Sequence, residues 1–155
     1  MEESDTLEFK SSIRWDLRES KVNPVLEKVI VKTVAGFLNS TQGGALLIGV
    51  ADDGAVVGLQ HDYDSFTKKP DRDGFELHLT TLLLNAYGKD CTAFLHITFH
   101  ELQGKEICEV AVKAANRPIF VNDEKGQQLY IRANNQTLPL NLEEAWNYSR
   151  IRWPS

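Results

Sequence analysis

Between positions 10 and 32 the chain places Lys10, Arg14, Arg18, Lys21, Lys28 and Lys32, a local run of cations in a protein whose formal net charge is -5. Clustered lysines and arginines neutralise phosphates and release the counterions condensed on a nucleic acid, so this segment is the natural candidate for phosphate contact. The plainer alternative for Lys28 and Lys32, one helical turn apart, is a solvated helix face. Trp15 stands among the cations and offers either a stacking surface for an unpaired base or an aromatic for the core. A second set of donors lies near the end of the chain, where Arg132 is followed by Asn134 to Thr137. A guanidinium fork beside loop amides binds a phosphate well, although the same residues also make an ordinary polar turn.

Other chemistries find little support. Gly43 and Gly44 follow a helical pattern where a phosphate loop would precede one, and no nucleotide-binding glycine fingerprint is present. His96 and His100 are spaced like a metal pair, but on a strand that spacing spans about 13 Å, too far for one ion. Cys91 and Cys108 lie in strand-like runs without metal-ligand spacing and read as core thiols. No window reaches the roughly 18 apolar residues of a membrane span, and the acidic start does not resemble a secretory signal, so a cytoplasmic location without membrane association is expected. The net negative charge argues against coating nucleic acid by bulk electrostatics, while leaving room for a local basic stripe.

The elements that must hold these groups are legible in the spacing. A short strand is expected at Thr6 to Phe9, then a loop or arm from Ser11 to Lys21. Asn23 caps a helix with Pro24 at its first position and Leu26, Val29, Ile30, Val34, Phe37 and Leu38 on one face. Ala45 to Val50 is apolar enough for a central strand, and Asp52-Asp53-Gly54 turns it into a returning strand at Ala55 to Gly58. A polar surface loop from His61 leads to a second helix, capped by Asp73 and ended by Gly88. Strands are then expected over 93–100, 108–112, 119–121 and 129–132, and a short helix from about Leu142 to Arg150. At 155 residues with 42% hydrophobic content the chain makes one domain, 1–155. The expected fold is α+β, with helices packed on one mixed β-sheet.

Two phrases carry a family resemblance. Glu3 to Lys10 reads E-S-D-T-L-E-F-K, and Gly36 to Gly54 reads G-F-L-N-S-T-Q-G-G-A-L-L-I-G-V-A-D-D-G. Together with Tyr130 to Thr137, Y-I-R-A-N-N-Q-T, they resemble the Schlafen-type AlbA domain across nearly the whole chain. That resemblance points toward nucleic acid. In Schlafen-type ribonucleases two glutamates of the first phrase join an aspartate after I-G-V to hold a divalent metal, which implies Glu3 and Glu8 as ligands and catalytic residues here. Ala51 stands at the aspartate's place, and Asp52 is the next carboxylate in line. Gathered carboxylates suit Mg²⁺ or Mn²⁺, and such an ion acidifies a bound water and stabilises phosphoryl charge.

The expectation is therefore a nucleic-acid-binding module that contacts phosphates of RNA or DNA with little sequence preference, through Lys10, Arg14, Arg18, Lys28, Lys32 and Arg132. The alternatives are a Mg²⁺- or Mn²⁺-dependent endoribonuclease using Glu3, Glu8 and Asp52, and a protein-interaction or assembly domain. Family ribonucleases clamp their substrate between two such lobes, which implies a homodimer, or a place in a larger multidomain protein, for a single lobe.

Overall fold

The computed structural model describes residues 1–155. Strands β1 (Leu7–Lys10), β4 (Gly44–Ile48), β5 (Leu95–Leu102) and β6 (Lys105–Val112) form a four-stranded sheet in the order β1-β4-β6-β5. β1 lies parallel to β4, and the other pairings are antiparallel, so the sheet is mixed. A separate antiparallel sheet is made by β7 (Val121–Asp123), β8 (Gly126–Ala133) and β9 (Gln136–Leu140). The expected α+β class stands, but the late strands form this second sheet and do not extend the first. Between β1 and the first helix, Trp15–Asp16 (β2) and Lys21–Val22 (β3) close a minimal ladder at the base of the expected arm.

Helix α1 (Pro24–Asn39) joins the two sheets. The Asn23 side chain accepts from the Val25 amide, Pro24 supplies the first turn, and Ile30, Val34, Phe37 and Leu38 are fully buried. Those side chains meet Leu46, Ile48, Val110 and the apolar face of helix α3 (Arg72–Tyr87) in one cluster. Asn39, also fully buried, donates to the carbonyls of Ile119 and Tyr130 and accepts from the Ile119 amide, which anchors the second sheet to the end of α1. Gly43 then turns the chain into β4 at φ +73, with the Val112 carbonyl where a Cβ would sit.

Three expectations are corrected. The residues after β4 do not form a hairpin strand: Gly49 takes φ +100, and only Val50 and Val56 make an isolated bridge, because the sheet position beside β4 belongs to β6. The segment from His61 is not simply a surface loop, since it contains helix α2 (Gln60–Asp64) with Asp62 and Tyr63 buried. Helix α3 is capped by Asp71, whose side chain accepts from the Gly74 amide, and Asp73 lies inside its first turn. The chain also makes a 3₁₀ segment at Lys89–Phe94 before β5, and helix α4 (Leu142–Arg152) closes it. No helix is long and apolar enough to cross a membrane.

Asp62 explains why the segment after β1 is ordered. Its carboxylate, 0% exposed, accepts from the amides of Ile13, Arg14 and Trp15 at 2.7, 3.3 and 3.1 Å. Burial pushes its pKa up against the pull of these amides and of His61. Replacing Asp62 with Ala orphans those donors and is expected to cost about 2–4 kcal/mol, read as a lowered urea midpoint.

Candidate nucleic-acid interface

The first phrase of the sequence folds back on itself before entering β1. The Ser4 amide donates to the Leu7 carbonyl at 2.9 Å, and the Phe9 amide donates to Glu3 Oε2 at 3.0 Å. Glu3 thereby comes beside Glu8, one strand step from Phe9. Glu8 is 8% exposed although it is a carboxylate, and the arrangement around it accounts for this. Arg132 Nη1 donates to Glu8 Oε1 at 2.8 Å, and Lys10 Nζ lies 3.5 Å from Oε2. The same guanidinium donates to the Ser4 carbonyl at 2.7 Å and to Thr137 Oγ1 at 3.1 Å, and it stacks over the Phe37 ring at 4.7 Å.

The carboxyls of Glu3 and Glu8 lie close enough to act on one another and are driven in opposite directions. Burial raises Glu3, and the neighbouring charges of Glu8 and Asp52 add to the rise. Burial also pushes Glu8 up, but the neighbouring Glu3 carboxyl and the bond from Arg132, with the charges of Lys10 and Arg132, outweigh it and hold Glu8 below the usual carboxylate range. Asp52 lies exposed in the turn that follows Gly49. That turn is closed by bonds from Ala51 to Ala55 and from Gly54 to Ala51, and Asp52 is near enough for its charge to act on Glu3.

These carboxylates do not make a metal cage as they stand. No three His, Cys, Asp or Glu side chains converge in a way that would hold an ion. Both oxygens of Glu8 already face cations, and Asp52 sits on an open turn. Ala51, at the place where a third strand-proximal carboxylate would stand, contributes none.

The basic residues separate into committed and available groups. Arg132 is committed, since its side chain is 2% exposed and turned to Glu8. Arg14 is largely committed too: its Nε and Nη2 donate to Ser65 at 3.0 and 2.6 Å, and it stacks over Phe66 at 4.1 Å. Lys10 and Lys32 share a shallow cleft of about 350 Å³ with Thr33, Asn135, Gln136 and Thr137, and Glu8 lies at its edge beside Lys10. Lys32 and Lys28 share a second groove, about 680 Å³, between α1, α3 and β7, where Glu27, Asp123 and Glu124 also lie. Lys32 therefore borders both hollows, with Lys10 of β1 in one and Lys28 of α1 in the other. Arg18 and Lys21 are exposed on the arm. Trp15 is half-buried, its amide held by Asp62.

Thr137 belongs to the donor set expected after Arg132, whereas spacing does not single out Thr33 and Tyr130 as site residues. Thr33 lies inside an apolar helical pattern, and Tyr130 is 5% exposed with its hydroxyl donating to Asp123 at 2.7 Å. The expected donor turn after Arg132 is present: Asn134 takes φ +56 between β8 and β9, bringing Asn135 and Gln136 to the cleft.

The fold and this surface define an α+β domain built around a buried glutamate and a basic helix face. The sequence profile of the family described as Schlafen, AlbA_2 matches residues 3–141, and the chain belongs to that family. Membership associates the domain with nucleic acid. The crystal structure of the DIP2311 protein from Corynebacterium diphtheriae is similar, with a TM-score of 0.64 and 21% identity over 96% of this chain. The chain spans only 24% of that protein, so the likeness concerns the fold of one part of it. The solution structure of the N-terminal domain of a Nitrosomonas europaea protein, named as related to the ATP-dependent DNA helicase RecG, gives a TM-score of 0.43. It shows 20% identity over 88% of this chain and 84% of that one. No curated protein matches the sequence.

The buried pair yields a stability prediction with a definite sign. Arg132→Ala leaves the Glu8 carboxylate desolvated without its cation and is expected to cost about 3–5 kcal/mol in chemical denaturation. Arg132→Lys recovers only part of this, lacking the planar fork. Because the folded Glu8 pKa is depressed, its contribution is present above about pH 4.3 and lost as pH falls through the folded value. Glu8→Gln therefore flattens the acid limb of the stability profile. Glu3, raised in the fold, acts oppositely: its contribution is complete at low pH and lost as pH rises through its folded value, so Glu3→Gln gains stability at neutral pH.

Proposed function

We propose that the domain is a nucleic-acid-binding module that grips phosphates along the track Lys10, Lys32 and Lys28, with little reading of base sequence. The observation that carries this reading is the position of Lys32 between two adjoining hollows, one bordered by Lys10 and the other by Lys28. Lysine ammonium groups set along a shallow surface match the charge of a phosphate backbone, and Asn135, Gln136 and Thr137 add neutral donors at one end. The hollows are open and no guanidinium fork is free in them, which favours backbone contact over the bidentate reading of base edges. Shallow openings of this kind suit single strands and unpaired RNA, whose bases can turn aside while the backbone is held. Arg18 and Lys21, on the arm, extend the positive surface beyond the track.

A second reading rests on the Glu3 and Glu8 carboxyls with the Asp52 charge beside them, the cluster that a metal-dependent endoribonuclease would use. Against it stand the commitment of Glu8 to Arg132 and Lys10 and the lack of a converging third ligand. Cutting of RNA that requires Mn²⁺ and disappears in Glu8→Gln, with the variant still folded, would establish that reading.

The binding proposal is tested by replacing Lys10, Lys28 and Lys32 together with Glu and titrating labelled single-stranded RNA and DNA by fluorescence anisotropy. Affinity is expected to fall by about 100-fold or more, with loss of most of its salt dependence. Replacing Arg14 should instead lower stability and leave affinity nearly unchanged, because its guanidinium is held by Ser65 and Phe66. Equal binding by the triple variant and the parent would place the interface elsewhere.

A further inference from the structure

Helix α4 is attached by one side and open on the other. Tyr148 Oη donates to the Asn39 carbonyl at 2.6 Å, Arg152 donates to the carbonyls of Asn39, Ser40 and Ala115, and Trp153 Nε1 donates to Ala115 at 2.9 Å. The bonds to Asn39 and Ser40 use carbonyls left unpaired at the end of α1, those to Ala115 use a carbonyl just beyond β6, and together they fix which side of α4 faces inward. No residue of α4 is buried, and Leu142, Trp146 and Ile151 are 89%, 65% and 82% exposed. α4 also lies beyond residues 3–141, the segment matched by the family profile.

The open side carries a pattern. At about 100° per residue, Tyr148 and Arg152 mark the inner side, and Glu143, Trp146 and Arg150 fall together on the opposite one. These are positions i, i+3 and i+7, the spacing of a helix-contact stripe. Neither Glu143 nor Arg150 takes part in an ion pair within the chain, whereas Glu144 is spent on the capping box with Asn141. An acid at one end, a base at the other and a large aromatic between them make a surface complementary to itself when reversed.

We infer that α4 is a homodimer contact in which the helices of two copies pack antiparallel about a two-fold axis near Trp146. Around such an axis, Glu143 of each copy meets Arg150 of the other, and the Trp146 rings cover one another. The helix dipoles oppose, which also favours this direction. Parallel packing would set Glu143 against Glu143 and Arg150 against Arg150. A helix of this length, about 16 Å, covers less area than a standard stable interface, so the dimer forms reversibly at micromolar concentrations or above. The inference stands on α4 alone and does not depend on the nucleic-acid reading.

Sedimentation velocity across about 5–500 μM, without nucleic acid, tests it. The parent is expected to shift from monomer toward dimer over that range. Glu143→Arg and Arg150→Glu should each weaken association by about tenfold or more, and the double exchange should restore it to within a few-fold of the parent. Trp146→Ala should leave a monomer that melts where the dilute, monomeric parent does, since that side chain lies outside the core. A parent that stays monomeric throughout, a dimer indifferent to the single reversals, or a double exchange no better than either single would each overturn the proposal.

Discussion

The pairing of Arg132 with Glu8 is the joint on which the arrangement turns. It links a strand of the second sheet to the edge strand of the first, and the same guanidinium reaches the Ser4 carbonyl and thereby holds the folded-back N-terminal turn. Burying opposite charges is expensive, and the cost is offset here by close geometry, by Thr137 and by the Phe37 ring beneath the guanidinium. One donor, Arg132 Nε, is left without a partner, so the joint is not fully satisfied. Asn39 fastens the same strand two residues away, at Tyr130, so the junction between the sheets combines these polar ties with the apolar packing along α1.

This joint also decides which charges face outward. Glu8 draws Arg132 inward and holds Lys10 at the rim, where 29% of the Lys10 side chain is exposed. α1, held between the two sheets by its buried face, then presents Lys28 and Lys32 along its other side. The protein is acidic overall, yet Lys10, Lys28 and Lys32 line two hollows that adjoin at Lys32. Local geometry, and not net charge, sets what the surface attracts.

Much of the fold was legible because its cues are local. Asn23 and Pro24 announce α1, the apolar run at Ala45 announces a central strand, and Gly88 announces the end of α3. What escaped was set by distant partners. The returning strand expected at Ala55 was displaced by β6, which is about sixty residues away in sequence and offers a longer antiparallel ladder. Asp62 reads as one more acid in a polar loop until the amides of Ile13, Arg14 and Trp15 are seen to converge on it. For the site, the spacing puts Lys10, Lys28 and Lys32 in view but not the hollows they border, and it gives no sign of the distant partners that hold Arg132 and Arg14. A sequence shows that a guanidinium is present but not that Glu8 or Ser65 already holds it.

The dependence of affinity on salt bears most directly on the claim that a short lysine track holds phosphates. Measured on labelled single-stranded RNA with EDTA present, three phosphate contacts predict that log K falls against log salt with a slope near about -2. A slope near zero, or no binding at low salt, would contradict the account.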